Sequence, residues 1–383
     1  MADENIKQKS LELHKKLRGK IKVVPAVAVQ DDQVLAEVYT PGVGAVSQAV
    51  ADGSVVLRDV TVAGNSVVVV SDGSAVLGLG NIGAGGALPV MEGKAMLFSQ
   101  LAGLNAWPIV LDTQDPDEIV ATIKHIAPVF GGINLEDIAA PKCFEIERRL
   151  QQDLDIPVIH DDQHATAIAV LAGLINAVKV TSKQQSQLKV VIVGAGAAGN
   201  AVAKLLIAWG VADVMVVDSK GIISTNRTDL DSNKQQLAEL TNKNGRSGSV
   251  AEALSGSDVV IGLSIAGLID KDMVSSMASE PIVFALANPT PEIMPDEAKS
   301  AGAAVIATGR SDFPNQINNV LVFPGMFKGA IGSGVRKVTI KHKLAAAEAL
   351  AHCVAKPDPE HIVPSVFDSN VVEALTSVFG LPS

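Results

Sequence analysis

Short apolar runs recur along the chain, and stretches in which apolar residues return every three or four positions separate them. In the first half "NSVVVVSDGSAVLGLGN" (65–81) reads as two β runs joined by a Ser-Asp-Gly-Ser turn, and "WPIVLD" (107–112), "GGINLED" (131–137) and "IPVIHDD" (156–162) read as strands. "GKAMLFSQLAGL" (93–104), "PDEIVATIKHIAPVF" (116–130) and "PKCFEIERRLQQDL" (141–154) carry helical spacing between them, and an Ala/Leu/Ile-rich buried helix follows Asp162. This alternation predicts a parallel sheet covered by helices. Ahead of it, the first 25 residues read as an exposed basic helix, and a loop follows around "VYTPGVG" (38–44).

The polar stretch "TSKQQSQ" (181–187) changes the composition. Six apolar runs lie beyond it: "KVVIV", "DVMVVD", "DVVIGLS", "IVFALAN", "AAVIAT" and "VLVF". With helical or loop segments between them they fit a doubly wound sheet. From about Arg336 the tail is helical again. A length of 383 residues favours two domains, placed at 1–163 and 164–383, the second including the helical tail.

The first run after the linker ends in a glycine turn. Gly194, Gly196 and Gly199 stand in G-x-G-x-x-G spacing, with Ala197 and Ala198 between, after an apolar strand and before an amphipathic helix. The first glycine permits the tight turn, the second lets a pyrophosphate approach the backbone, and the third allows close helix packing. This is a Rossmann-type dinucleotide signature. The next strand ends at Asp218, which suits an unmodified ribose hydroxyl and favours NAD, while nearby Lys220 leaves NADP possible.

Acids stand where two first-half strands end: Glu136 and Asp137 after "GGINL", Asp161 and Asp162 after "PVIH". Ligands in such folds bind beyond the carboxyl ends of strands, so the acids converge if the strands are neighbours. A divalent cation, Mn2+ or Mg2+, then supplies the missing positive charge, since all-oxygen donors suit hard ions. The competing reading makes Glu136 and Asp137 helix-capping acids. His160 and His164 have the spacing of zinc ligands on a helix, but a strand–helix junction interrupts that phase, and they read better as hydrogen-bonding neighbours.

Composition narrows the function. The net charge of −10 argues against nucleic acid or an anionic membrane as partner. Two isolated cysteines form no disulfide framework. The charged N-terminus lacks a signal sequence, and no apolar run approaches the ~20 residues that span a bilayer, so a cytoplasmic protein is expected.

Taken in order, "VYTPGVG", "SDGSAVLGLGNIG", "PVMEGKAMLF", "INLEDI", "IHDDQHATA", "GAGAAG", "ALANPTPE" and "NNVLVFPG" resemble the bacterial short-form malic enzymes over nearly the whole chain. The resemblance implies an N-terminal malic domain, α/β with a parallel sheet that binds substrate and metal, followed by a doubly wound NAD-binding domain and C-terminal helices. It implies oxidative decarboxylation of L-malate to pyruvate and CO2, with metal ligands at Glu136, Asp137 and Asp162 and with Asp161 beside the chemistry. Lys94 of "EGKAMLF" is implied as the general base and Tyr39 of "VYTPG" as the general acid. Asn288 and Asn319 are implied as substrate contacts, Asn288 also bordering the cofactor. A base at Lys94 must be neutral, and a nearby cation lowers its pKa in that direction.

The chain departs from the family at Ala75, where larger members carry an arginine, so Lys20, Lys22 or a lysine of a second subunit must pair the second substrate carboxylate. An oxaloacetate decarboxylase of the same family is the alternative activity, because the same residues serve it. Malolactic activity ranks below it. The expected partners are malate, oxaloacetate or pyruvate and a second copy of the chain, as a homodimer.

Overall fold

A computed structural model describes residues 2–76 and 78–380; Leu77, within "SDGSAVLGLG", lies outside the described residues. The chain opens with α1 (Ala2–Leu17), α2 (Asp32–Val38), α3 (Val43–Ala51) and α4 (Leu57–Val60). α1 is shorter than its sequence suggests, because the chain turns at Arg18 and Gly19, both at positive φ.

Four strands then build the first sheet: β1 (Ser66–Ser71), β2 (Asn105–Val110), β3 (Gly132–Leu135) and β4 (Val158–His160), in the order β2-β1-β3-β4, all parallel. The crossovers are α5 (Gly83–Ala102), α6 (Pro116–Ile126) and α7 (Lys142–Asp153). The β run expected after the Ser-Asp-Gly-Ser turn is not a strand. Gly78 and Gly80 adopt φ 73° and 74°, and the Val76 and Gly80 amides close a tight turn on each other's carbonyls. α5 begins ten residues before its predicted start, through three glycines and Pro89, because burial of Ala87, Met91, Ala95 and Phe98 along one face outweighs low helix propensity.

α8 (Asp161–Val180) leads into the second sheet. It is long and apolar enough to cross a membrane, contrary to the sequence reading. Here its apolar surface is buried instead, against α9 (Ala197–Trp209) and α15 (Ile340–His352). The second sheet has the order β10-β9-β8-β5-β6-β7. Its strands are β5 (Lys189–Val193), β6 (Asp213–Asp218), β7 (Gly221–Ile222), β8 (Val259–Gly262), β9 (Ile282–Ala285) and β10 (Val305–Thr308). All pair in parallel except β7, which folds back on β6. α10 (Ser232–Leu240), α11 (Val250–Leu254), α12 (Lys271–Ser275) and α13 (Pro295–Ser300) connect them. The run "VLVF" does not add a strand: Asn319–Leu321 is a 3-10 turn, and α14 (Phe323–Ser333) starts at once with Pro324 in its first turn.

The tail, α15 and α16 (Asn370–Ser377), packs back on the molecule. Buried Asn176 on α8 donates to the Ala351 and Ile362 carbonyls, at 2.9 and 3.0 Å. Phe98 of α5 meets Phe323 and Phe327 of α14, with ring centroids at 4.6 and 5.3 Å. Such fully buried rings each contribute roughly 1.5–3 kcal/mol. They join helix α5 of the first sheet to a helix that follows the second.

Candidate active site

The site begins with a register. Leu135 of β3 pairs with His160 of β4, so the next residues, Glu136 and Asp161, leave adjacent strand ends side by side. Both are buried, as is Lys94 on α5. Lys94 Nζ lies 2.8 Å from Glu136 Oε1 and 2.5 Å from Asp161 Oδ2, and 4.2 Å above the Phe323 ring. Burial works to lower the Lys94 pKa, but the two carboxylates overturn it and hold the amine above its ordinary value. Burial raises the pKa values of Glu136, Asp161 and Asp162, against the pull of Lys94.

Glu136, Asp137 and Asp162 each offer a carboxylate oxygen, all within 4.8 Å of one another. Asp137 adopts φ 54°, and its amide donates to Asp162 Oδ2 at 2.9 Å, tying the loop after β3 to the first turn of α8. These acids do not cap a helix: α7 starts later, at Lys142. Four acids here face one lysine, and buried Asp161 Oδ1 has no hydrogen-bond partner. An excess of oxygen donors with an orphaned carboxylate atom fits a hard divalent cation. Asn319 enters the cluster from the second half of the chain, its amide donating to Asp161 Oδ2 at 2.5 Å.

The structure does not bring every expected residue to this point. Tyr39 ends α2, is 66% exposed, and its side chain makes no hydrogen bond to the cluster. Asn288 bonds only weakly to the Leu286 carbonyl, at 3.4 Å. Ala75 is tied by its amide to the Asp137 carbonyl. Of the replacement cations, Lys20 docks on α5, donating to the Pro89 carbonyl within one turn and a half of Lys94; Lys22 is exposed.

The glycine turn is shaped for a dinucleotide. Gly194 has φ 122°, and a Cβ there would sit 2.3 Å from the Leu263 carbonyl. One on Gly199 would strike the Gly194 carbonyl at 1.9 Å, whereas at Gly196 it would meet open space. Gly196 caps α9 without a side-chain bond, so amides there are free for phosphate. Asp218 is not a free carboxylate. It accepts from Arg227 Nη1 at 2.7 Å, Lys234 Nζ at 2.7 Å and the Lys220 amide at 2.9 Å. Burial would raise its pKa, but these partners push it down to about 2.

Sequence reasoning missed Glu147. It occupies the inward stripe of α7 with Cys143, Ile146 and Leu150, and an acid at that phase was the available signal. It accepts from the His160 amide at 2.8 Å and from Gln163 at 3.3 Å, and it bonds His164 Nε2 at 3.0 Å. Lys343 Nζ reaches His164 Nδ1 at 2.8 Å from the other side. The imidazole of His164 is thus a hydrogen-bonding neighbour as expected. The ring nitrogens of His160 have no hydrogen-bond partner, Nε2 lying 3.9 Å from Asp162 Oδ2, and its backbone amide donates to Glu147.

Two α/β units, one presenting buried acids at its strand ends and the other a glycine turn for a dinucleotide, define a metal- and nucleotide-dependent class of enzyme architecture. Residues 18–151 match the family described as "Malic enzyme, N-terminal domain", and residues 163–377 "Malic enzyme, NAD binding domain". A "Bifunctional malic/malolactic enzyme" of Bacillus subtilis (strain 168) is 48% identical over 97% of this chain and 91% of its own. An "NAD-dependent malic enzyme" of Geobacillus stearothermophilus is 50% identical over 96% of this chain and 77% of its own. The crystal structure of an NAD-dependent malic enzyme from Thermotoga maritima superposes with a TM-score of 0.93 at 46% identity, covering 96% of this chain and 98% of that one. The chain belongs to the malic enzyme family.

Glu147 gives a measurable consequence. Burial would raise its pKa, but His164 and Lys343 pull it from 4.5 down to about 2. The carboxylate therefore adds stability that is complete above about pH 4.5 and disappears as pH falls through about 2. Glu147→Gln should cost on the order of 3 kcal/mol at pH 7 in urea denaturation. The gap to the parent protein should narrow at pH 4 and below; a gap independent of pH would contradict this.

Proposed function

We propose that this protein oxidises and decarboxylates L-malate to pyruvate and CO2 with reduction of a nicotinamide dinucleotide, using a divalent cation held by Glu136, Asp137 and Asp162. The observation that carries the reading is the buried Lys94–Asp161–Glu136 cluster beside that oxygen-donor set, in a chain of this family. When bound, the cation, Mn2+ or Mg2+, stabilises negative charge at the substrate's C2 oxygen as CO2 departs, and the nicotinamide accepts hydride.

The chain's own residues supply the rest. Lys94 is the acceptor for the C2 hydroxyl proton. Asp161, in direct contact with Lys94, would be its proton partner once a bound cation disfavours the ammonium and leaves the amine free. Asn319 and Asn288 orient the substrate carboxylate without a full charge, and Lys20 is the cation that stands in for the arginine absent at Ala75. Tyr39 protonates C3. Supporting the assignments of Lys94 and Asp161 are their burial and their short contact.

Tyr39 and, close to it along the chain, Val23, Val24, Leu35, Val38, Val43 and Val46 are all exposed in the single chain. So large an apolar surface calls for a cover. We infer a homodimer that covers it and desolvates the phenol. The cofactor is NAD, with NADP accepted: Arg227, Lys234 and Lys220 surround Asp218 and Asp229, three cations to two acids, which leaves positive charge to meet a 2′-phosphate.

With Mn2+ and malate the protein should form NADH or NADPH together with pyruvate. Cofactor-free loss of oxaloacetate or release of lactate, without malate-dependent reduction, would replace this activity by a decarboxylase or malolactic one. Lys94→Ala should abolish malate oxidation yet retain NAD binding, and Asp162→Ala should weaken Mn2+ binding at least tenfold by calorimetry; normal values in either variant remove that residue's role. Joint Arg227→Ala and Lys234→Ala should lower kcat/KM with NADP about tenfold or more and with NAD much less, since the lost charges face the extra phosphate. Equal losses would refute the assignment. Sedimentation at micromolar concentration should give a dimer, and a monomer would overturn the interface.

A further inference from the structure

A cavity of about 750 Å³ opens between α7, α8, α9, α10 and α15. It contains none of Lys94, Glu136, Asp161 or Asp162 and none of Gly194, Gly196 and Gly199. Its size falls in the range of small-molecule sites. Lys142, Arg148, Lys204 and Lys343 contribute to its walls, with Asn200 and Asn233 as neutral hydrogen-bonding groups.

Two of these cations make no close ion pair with a carboxylate and feel only Glu147 at longer range. Lys204 lies on the cavity wall without a hydrogen bond or an ion pair. Lys343 is held only by the His164 ring, at 2.8 Å from Nδ1. Of the acids lining the cavity, Glu145 pairs with Arg149 at 3.1 Å, and Glu147, bonded to His164, Gln163 and the His160 amide, is the one negative charge that Lys204 and Lys343 share. Burial lowers the Lys343 pKa to about 8, as for an ammonium lacking full compensation. Four cations against two acids leave an excess of positive charge around an opening of small-molecule size, which attracts anions.

We propose that this cavity is a binding site for a small organic polyanion, carboxylate or phosphate, that bridges Lys204 and Lys343. The site spans both halves of the chain, since α7 follows β3 of the first sheet and α9 and α10 belong to the second. It is also wired to the catalytic corner. Lys343 touches His164, His164 touches Glu147, and Glu147 holds the His160 amide immediately before Asp161. A ligand that draws Lys343 away from His164 alters the support of that corner, so occupancy regulates turnover.

Binding can be read without the malate reaction. Inorganic phosphate, citrate and ATP are titrated by calorimetry into the metal-free full-length protein saturated with NAD. At least one should bind with a submillimolar Kd, and Lys204→Ala should weaken it tenfold or more while leaving thermal stability and basal activity unchanged. Lys343→Met should weaken the same probe comparably. With the probe that binds, at matched free Mn2+, KM or kcat for malate should shift at least twofold in the parent and not in Lys204→Ala. Absence of binding by all three, an affinity indifferent to Lys204, or displacement by NAD would overturn the proposal; the last would make the cavity an annex of the cofactor cleft. Binding without a kinetic shift would remove the regulatory role.

Discussion

Pairing of Leu135 with His160 is the constraint on which the site depends. It puts two carboxylates at neighbouring strand ends, inside the protein, where like charges are costly. Lys94 compensates part of the cost, and removing one partner of such a buried pair typically costs about 3–5 kcal/mol. The remaining acids come from the loop after β3, which holds Asp137, and from the first turn of α8, which holds Asp162, the two being bonded through the Asp137 amide. The sheet thus gathers more carboxylate charge than Lys94 alone balances, which suits a hard cation. Glu147 stands one layer behind it. Its bond to the His160 amide fixes the strand end, and its own charge is stabilised by His164 and Lys343.

Much of this was legible from residue order. β-Branched runs bounded by turn residues located nine of the ten strands, and the glycine spacing located the nucleotide turn. The acids were legible because they follow apolar runs, a position where the chain leaves a sheet. The failures have physical causes. Val76 looks like a strand residue, but glycines at positive φ on the residues after it close a turn. "VLVF" looks like a strand, but Pro324 and the packing of Phe323 and Phe327 on Phe98 make it the entry to a helix. β7 is two residues long, too short to leave a pattern. Pairings between remote residues were beyond reach. Neither Arg227 and Lys234 on Asp218 nor Glu147 beneath His160 follows from spacing, because each depends on how separate elements are stacked.

The chain has few aromatic residues and spends them selectively. Of nine phenylalanines, Phe98, Phe323 and Phe327 meet between α5 and α14, joining the two halves. The sheets themselves are packed with Val, Ile, Leu and Ala, as suits strands covered on both faces. Phe323 also supplies the ring beneath Lys94, so one side chain serves both the seam and the buried ammonium.

α8 has a mechanical consequence. It is one unbroken rod of 20 residues, about 30 Å long. Its first turn carries Asp161 and Asp162, and its remaining length lies against α9 and α15. These acids are therefore bolted to the nucleotide half by a stiff lever and not by a flexible joint. Any opening of the cleft must carry those acids along with the rod or shear β4 from β3, so closure amounts to the rest of the first sheet swinging onto carboxylates already in position.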